Sequence, residues 1–89
     1  MKYVMFYETE PDTGSLAREH LEAHRAYFME FHRRGLLLMT GPFVDAEGGA
    51  IGIFTTREAA EEFVEGDPFV RNGVIARWSI RQWNEVLAP

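Results

Sequence analysis

Three short segments of this chain are apolar on both faces that a β-strand presents, and this feature limits the possible folds more than any other. Residues 3–7 read Tyr-Val-Met-Phe-Tyr, 36–39 read Leu-Leu-Leu-Met and 50–54 read Ala-Ile-Gly-Ile-Phe. Because successive side chains of a strand point to opposite faces, such a sheet must be covered on both sides. Helices can cover one face. A second copy of the chain is the simplest cover for the other, so we expect a homodimer or a higher even-numbered oligomer.

Turn and capping residues give the order of the elements. Ser15 is a suitable N-cap for a long helix over 16–34, which a glycine ends, and the Gly48-Gly49 turn predicts a β-hairpin. The order is βαββαβ in a single α+β domain over 1–89, and right-handed crossovers place both helices on one face of the antiparallel sheet. The predicted strands cover 2–8, 36–41, 50–54 and 74–83.

A second helix and a short helical turn are predicted before the last strand. Thr55 followed by Glu58 three residues later is the pattern of a capping box, and it predicts a helix over 56–65. Asp67 before Pro68 fits the N-cap and the first residue of a short helical turn. The aspartate is therefore expected to have at least a structural role.

Composition excludes several classes of function. The chain has 14 acidic against 9 basic side chains and a net charge of −5, whereas binding to a nucleic-acid backbone requires a basic face. It has no cysteine, which excludes disulfides, iron–sulfur clusters and thiol nucleophiles. The apolar run at its start is shorter than a signal-peptide core or a membrane span, so we expect a cytoplasmic protein that does not bind membranes.

Two histidines of the long helix are candidates for chemistry. Helical periodicity places His20 and His24 in the apolar arc of helix 16–34, so both are expected to face the sheet. Imidazole exchanges protons near neutral pH, which makes His24, near the centre of the arc, a candidate acid–base group. Asp67 is the carboxylate available to orient it. The alternatives are a buried histidine bonded to a backbone carbonyl, and an aspartate that only caps the turn before Pro68.

Other polar residues point to chemistry less clearly. His20 and His24 have the i, i+4 spacing of metal ligands, but no third ligand is evident, so neither a metal nor another cofactor is expected. His32 lies at the edge of the arc and is expected to be exposed. Arg77 and Arg81 share one face of the last strand, where we expect them to meet acidic side chains of a partner or, alternatively, an anionic substrate.

Several of these residues form a pattern that resembles the YCII-related proteins. The resemblance extends over most of the chain, from Tyr3 to Trp83. It implies a ferredoxin-like fold of the dimeric α+β barrel type. The pattern consists of His24, Gly35 eleven residues later, Leu36-Leu37, Gly41-Pro42, the Gly48-Gly49 hairpin and Asp67-Pro68-Phe69.

The resemblance also implies a site. It places a histidine–aspartate pair in a pocket between helix and sheet, and the spacing to Gly35 assigns these roles to His24 and Asp67. The string Arg18-Glu19-His20-Leu21 is similar to an Arg-Pro-x-His-Leu string that is common in the family, which leaves His20 as the alternative histidine. The predicted substrate-binding residues are His20, Gly41, Pro68 and Phe69.

The resemblance suggests a class of reaction and leaves the substrate open. Family members with assigned chemistry resemble lyases or dehalogenating enzymes of small hydroxylated ring compounds, and muconolactone isomerases share the barrel. The leading hypothesis is therefore a cofactor-independent enzyme in which His24 and Asp67 perform acid–base chemistry of the lyase, dehalogenase or isomerase type on a small cyclic or aromatic substrate. The alternatives are a non-catalytic module that binds a small ligand or serves as an accessory subunit, and a haem- or quinone-handling monooxygenase of the same fold.

Overall fold

Four antiparallel strands and three helices make up most of the protein in this computed structural model, which describes residues 1–89. The strand order across the sheet is β2-β3-β1-β4. This is the α+β, ferredoxin-like arrangement, and the predicted order βαββαβ is confirmed, with the short turn after Asp67 present as α3. The elements are β1 Lys2–Thr9, α1 Gly14–Arg33, β2 Leu37–Pro42, β3 Ala50–Phe54, α2 Arg57–Gly66, α3 Pro68–Arg71 and β4 Ile75–Trp83.

The two long helices begin at other residues than predicted. Helix α1 begins at Gly14, so Thr13 rather than Ser15 is its N-cap, and the Thr13 hydroxyl donates to the Glu10 carbonyl at 2.7 Å instead of capping a helical N–H. The first helical hydrogen bond runs from the Ala17 N–H to the Thr13 carbonyl. The prediction of Ser15 as the cap is therefore wrong, because the chain enters the helix two residues earlier.

Helix α2 begins one residue later than predicted. Its N-cap is Thr56, whose hydroxyl oxygen accepts a hydrogen bond from the Ala59 N–H at 3.1 Å. Glu58 therefore stands at the second helical position and not at the third, which a capping box needs. At this position its carboxylate interacts favourably with the positive end of the helix dipole. The predicted capping box from Thr55 to Glu58 is wrong, although the helix is present.

A β-bulge in β2 changes which side chains reach the core. Leu37 pairs with Phe54 and Met39 pairs with Ile53, so β2 holds one more residue than β3 between these two pairs. The extra residue places Leu37 and Met39 on opposite faces, with 2% of Leu37 and 67% of Met39 exposed. Uninterrupted alternation along the strand would place both on the same face, and the bulge prevents this.

The core lies between the sheet and the helices. Aromatic rings of three elements meet there: Phe31 of α1 and Phe54 of β3 each pack against Phe63 of α2, with ring centroids 5.2–5.3 Å apart. This contact holds α1 and α2 side by side, which brings the middle of α1 close to the end of α2. The buried residues of this core cluster are Met5, Tyr7, Phe31, Leu37, Phe54, Ala59, Ala60, Phe63 and Val64.

No helix covers the other face of the sheet. Half-buried apolar side chains of the two central strands, Val4, Phe6, Ile51 and Ile53, line an open groove of about 440 Å³ there. The sequence-based expectation of a sheet that is apolar on both faces is thus confirmed. We refer to these four residues, with Met39 and Trp83 beside them, as the open face.

The two arginines of β4 have different surroundings. Arg77 forms a salt bridge with Glu8 of the neighbouring strand in its own chain, with Nε 3.1 Å from Oε2. The sequence suggested that Arg77 meets an acidic side chain of a partner or an anionic substrate. Its carboxylate partner instead lies in its own chain. Arg81 instead lies along the groove of the open face. None of the helices is long and apolar enough to cross a membrane.

Candidate functional site

A fully buried carboxylate, that of Asp67, lies at the junction of α2 and α3. Its Oδ1 accepts the Phe69 N–H at 3.1 Å, which is the predicted N-cap, and lies 2.7 Å from Nδ1 of His24. Its Oδ2 accepts the Tyr7 hydroxyl at 2.7 Å. Burial of a carboxylate is costly unless hydrogen bonds replace its hydration, and here each oxygen has at least one donor.

The hydrogen bond from His24 assigns the proton on the imidazole. A carboxylate oxygen only accepts, so Nδ1 must carry a proton to bond Oδ1 of Asp67 at 2.7 Å. The other ring nitrogen, Nε2, then has a free lone pair in the neutral ring, and no protein atom donates to it. Because His24 lines a cavity between α1 and the sheet, this nitrogen is available to a ligand as a proton acceptor.

Two aromatic rings hold the imidazole in its orientation. The ring of Phe69 stacks on that of His24 with centroids 3.9 Å apart and planes 5° apart, and the ring of Phe28 meets it edge-on at 5.3 Å and 77°. Only 16% of the His24 side chain is exposed. The imidazole is therefore fixed by packing as well as by its hydrogen bond to Asp67, which is the preorganisation that acid–base groups require.

Tyr7 is a member of this network that the sequence reasoning missed. Burial, and next the negative charge of Asp67 and the hydrogen bond to it, raise the pKa of the Tyr7 hydroxyl far above its usual value. The hydroxyl therefore stays protonated and acts as a donor. A signal was available in the sequence, since a tyrosine on the core face of a central strand normally needs a partner for its hydroxyl.

The cavity next to His24 has a volume of about 430 Å³, which lies in the range of small-molecule sites. It opens between α1 and the strands, and its lining is mostly apolar, with Phe28 and Phe69 near the imidazole. Its polar side chains other than His24 are Tyr7, Thr9, Arg25 and Thr40. A small, largely apolar molecule fits this chemistry.

The structure places the predicted substrate-binding residues in two groups. Gly41 and Phe69 line the cavity, whereas Pro68 and His20 do not. Pro68 is the first residue of α3 and follows the cap. His20, one turn before His24 on α1, is half-buried and has no hydrogen bond to Asp67. Of the two candidate histidines, His24 is the one that the fold brings to the aspartate.

The third histidine, His32, takes no part in the hydrogen bonds around Asp67. His32 is exposed as a residue, as expected, but its Nδ1 lies 2.8 Å from the Leu37 carbonyl oxygen, so it joins the end of α1 to the start of β2. No group of three or more His, Cys, Asp or Glu side chains is arranged to hold a metal ion.

Comparison with known proteins gives a family match and several structural neighbours. The family model of the YCII-related domain matches residues 1–84. Protein YciI of Escherichia coli O6:H1 is 30% identical over 97% of this chain and 99% of its own length. The 5-chloro-2-hydroxyhydroquinone dehydrochlorinase TftG of Burkholderia phenoliruptrix AC1100, solved with 2,5-dihydroxybenzoquinone, superposes with a TM-score of 0.80 over 94% of both chains at 21% identity. An antibiotic biosynthesis monooxygenase superposes with a TM-score of 0.57 at 18% identity, over 97% of this chain and 98% of its own.

Proposed function

The chain belongs to the YCII-related family, and on that premise we propose that it is a cofactor-independent enzyme whose His24, oriented by Asp67, moves a proton on a small cyclic or aromatic molecule. One observation carries the proposal. The 2.7 Å contact between Nδ1 of His24 and the buried Asp67 carboxylate leaves Nε2 as the free proton acceptor at a cavity of suitable size.

The chemistry requires only what these two side chains supply. Nε2 of His24 takes a proton from the substrate, and the carboxylate of Asp67 stabilises the imidazolium that forms. In an elimination, the electron pair of the broken bond to that proton remains on the substrate and forms a double bond. A halide or hydroxide leaves at the same time with the electron pair of its own bond. In an isomerisation, the imidazolium returns the proton to another atom of the same molecule. General acid–base assistance of this kind contributes about 10²–10⁴ in rate.

The type of substrate is supported by the lining and by one structural neighbour. The stacked Phe69 and the edge-on Phe28 favour a flat ring beside the imidazole. TftG, which shares the fold, is named as a dehydrochlorinase of a hydroxylated ring compound. Lyase or dehalogenase chemistry on such rings is therefore the reaction class that these observations favour, and isomerisation of cyclic lactones is the second.

The test is turnover of a panel of chlorinated hydroxyhydroquinones and cyclic lactones by three proteins: the wild type, His24→Gln and, as the matched control, His20→Gln. We expect His24→Gln to lower kcat by at least about 100-fold and His20→Gln to change it by less than about threefold. Full activity of His24→Gln would overturn the proposal. Saturable binding of a panel member without turnover would instead identify a non-catalytic ligand-binding module.

We also propose that the protein is a homodimer in which the open faces of two copies meet. An apolar sheet face is expensive to leave in water, and a two-fold arrangement covers both copies with one interface. Arg81, which borders the groove of the open face, is expected to meet a carboxylate of the second copy there, because a charge buried without a partner is costly.

A further inference from the structure

The lining of the cavity beside His24 contains no carboxylate, although acidic residues outnumber basic ones by 14 to 9 in the whole chain. Asp67 is the acid closest to the imidazole, but it is fully buried and both of its oxygens accept hydrogen bonds, so neither faces the cavity. The cavity lining thus differs in charge from the chain as a whole, which is acidic. A difference of this kind selects ligands by charge.

Arg25 is the one lysine or arginine that lines the cavity. It follows His24 directly on α1, and its guanidinium forms no salt bridge within the chain, whereas Arg33 and Arg34 of the same region pair with Glu30 and Glu62. Arg25 therefore lines the cavity without a carboxylate partner from its own chain. A guanidinium presents two parallel N–H groups that match the two oxygens of a carboxylate.

We propose that the natural ligand of this cavity is a small ring compound that carries a carboxylate, and that Arg25 selects for this group. The proposal rests on the proposed function, in that it names the substrate class of the same site. The ring lies against Phe28 and Phe69 beside Nε2 of His24, and the carboxylate lies toward Arg25. Arg25 is a specificity-determining residue here, and it takes no part in the transfer of the proton.

The test compares an acid with its neutral amide. The probes are 2-naphthoate and 2-naphthamide, which share ring and shape, and their Kd values are measured by isothermal titration calorimetry at pH 7.5. We expect the wild type to bind the acid about 10-fold more tightly than the amide, since one charged contact at a partly exposed site is worth roughly this factor. In Arg25→Gln the preference should fall to less than about twofold, with the Kd of the amide unchanged.

Arg18→Gln is the matched control. It removes the same charge from the same helix, two turns earlier, at a side chain that bonds Ser15 and does not line the cavity. It should keep the wild-type preference for the acid. The proposal is overturned if acid and amide bind the wild type equally, if neither binds at millimolar concentration, or if Arg18→Gln lowers the preference as much as Arg25→Gln does.

The outcome is separable from that of the proposed function. Binding of the naphthoate probe needs no turnover, and His24→Gln should retain the preference for the acid while losing catalysis. If the preference for the acid is absent but His24→Gln is inactive, the acid–base proposal stands and the carboxylate proposal fails. If the preference is present and His24→Gln is fully active, the reverse holds.

Discussion

At the scale of single residues, one oxygen of Asp67 both caps α3 and contacts the imidazole of His24. Its Oδ1 accepts the Phe69 N–H that begins α3 and also the Nδ1–H of His24. Asp67→Asn should keep the cap, because asparagine caps helices as well as aspartate does. An amide has one acceptor oxygen and a donor group where the carboxylate had two acceptors, so the variant no longer holds the imidazole with Nε2 free.

We therefore expect Asp67→Asn to fold, with a loss of about 1–3 kcal/mol in the free energy of unfolding, and to lose at least about 100-fold in kcat. Urea denaturation and turnover of a panel substrate, both measured on this variant, check the two statements. Asp67→Ala serves as the control, since it removes the cap and the dyad together and should be less stable than Asp67→Asn. An Asp67→Asn protein with wild-type turnover would limit the aspartate to its capping role.

The Tyr7 hydroxyl makes stability depend on alkaline pH. Its pKa in the folded protein is raised from the ordinary value of 10.0, mainly by burial and then by Asp67, so the folded state favours the protonated form. The stabilisation is fully present below about pH 10 and is lost as pH rises above it, because the unfolded chain releases this proton first. The free energy of unfolding should fall by about 1.4 kcal/mol per pH unit from this group.

Tyr7→Phe should remove this contribution. Its free energy of unfolding, measured by urea denaturation between pH 8 and 11, should be lower than that of the wild type at pH 8 because Oδ2 of Asp67 loses its donor. Above pH 10 its curve should fall less steeply. Some alkaline decrease should remain, since burial also raises the pKa of Tyr27. Parallel curves for the two proteins would show that the Tyr7 proton has no such influence.

At the scale of elements, the hairpin between β2 and β3 depends on one glycine more than on its neighbour. Both Gly48 and Gly49 have positive φ angles, of 71° and 85°, which non-glycine residues adopt at a cost. A Cβ on Gly49 would also lie 2.7 Å from the Tyr7 carbonyl oxygen, whereas a Cβ on Gly48 would meet nothing closer than Thr9 Oγ1 at 3.8 Å. Only Gly49 therefore combines strain with a clash against β1.

The alanine variants of these two glycines separate the two effects. Gly48→Ala should lose about 1 kcal/mol in the free energy of unfolding from backbone strain alone, and Gly49→Ala about 3 kcal/mol or more, because β1 must also move. Chemical denaturation of both variants measures the difference. Equal losses would show that the hairpin yields to the added methyl group without disturbing β1. Because Gly49 lines the cavity, its variant should also weaken ligand binding.

At the scale of the whole molecule, the open face should determine the state of association. We expect light scattering at micromolar concentration to return twice the mass of the chain. Ile53→Lys, in the middle of the open face, should give a monomer, because a lysine buried there has no partner. Val86→Lys is the control, since Val86 is 88% exposed and lies outside the sheet. A monomeric wild type would refute the dimer, and the open face would then need another cover.

Patterns within a few residues of one another correctly predicted the features that depend on neighbours in the chain. The alternation of apolar residues predicted the strands and the two apolar faces, and Asp67 before Pro68 predicted the cap of α3, because both patterns act within a few residues. Local signals are less reliable at the helix starts, where the patterns favour Ser15 and Thr55 but the N-caps are Thr13 and Thr56. Capping residues that lie within two positions of each other compete, and tertiary packing decides between them.

Contacts between distant parts of the chain depend on how the elements pack, and local patterns do not predict them. His24 and Tyr7 reach Asp67 across 43 and 60 residues of sequence, and the spacing within α1 cannot show which histidine the end of α2 will meet. The bulge that separates Leu37 from Met39 depends likewise on the pairing of β2 with β3. The physical reason is that the positions of these groups are set by how the helices pack on the sheet, through Phe31, Phe54 and Phe63, rather than by local backbone preference.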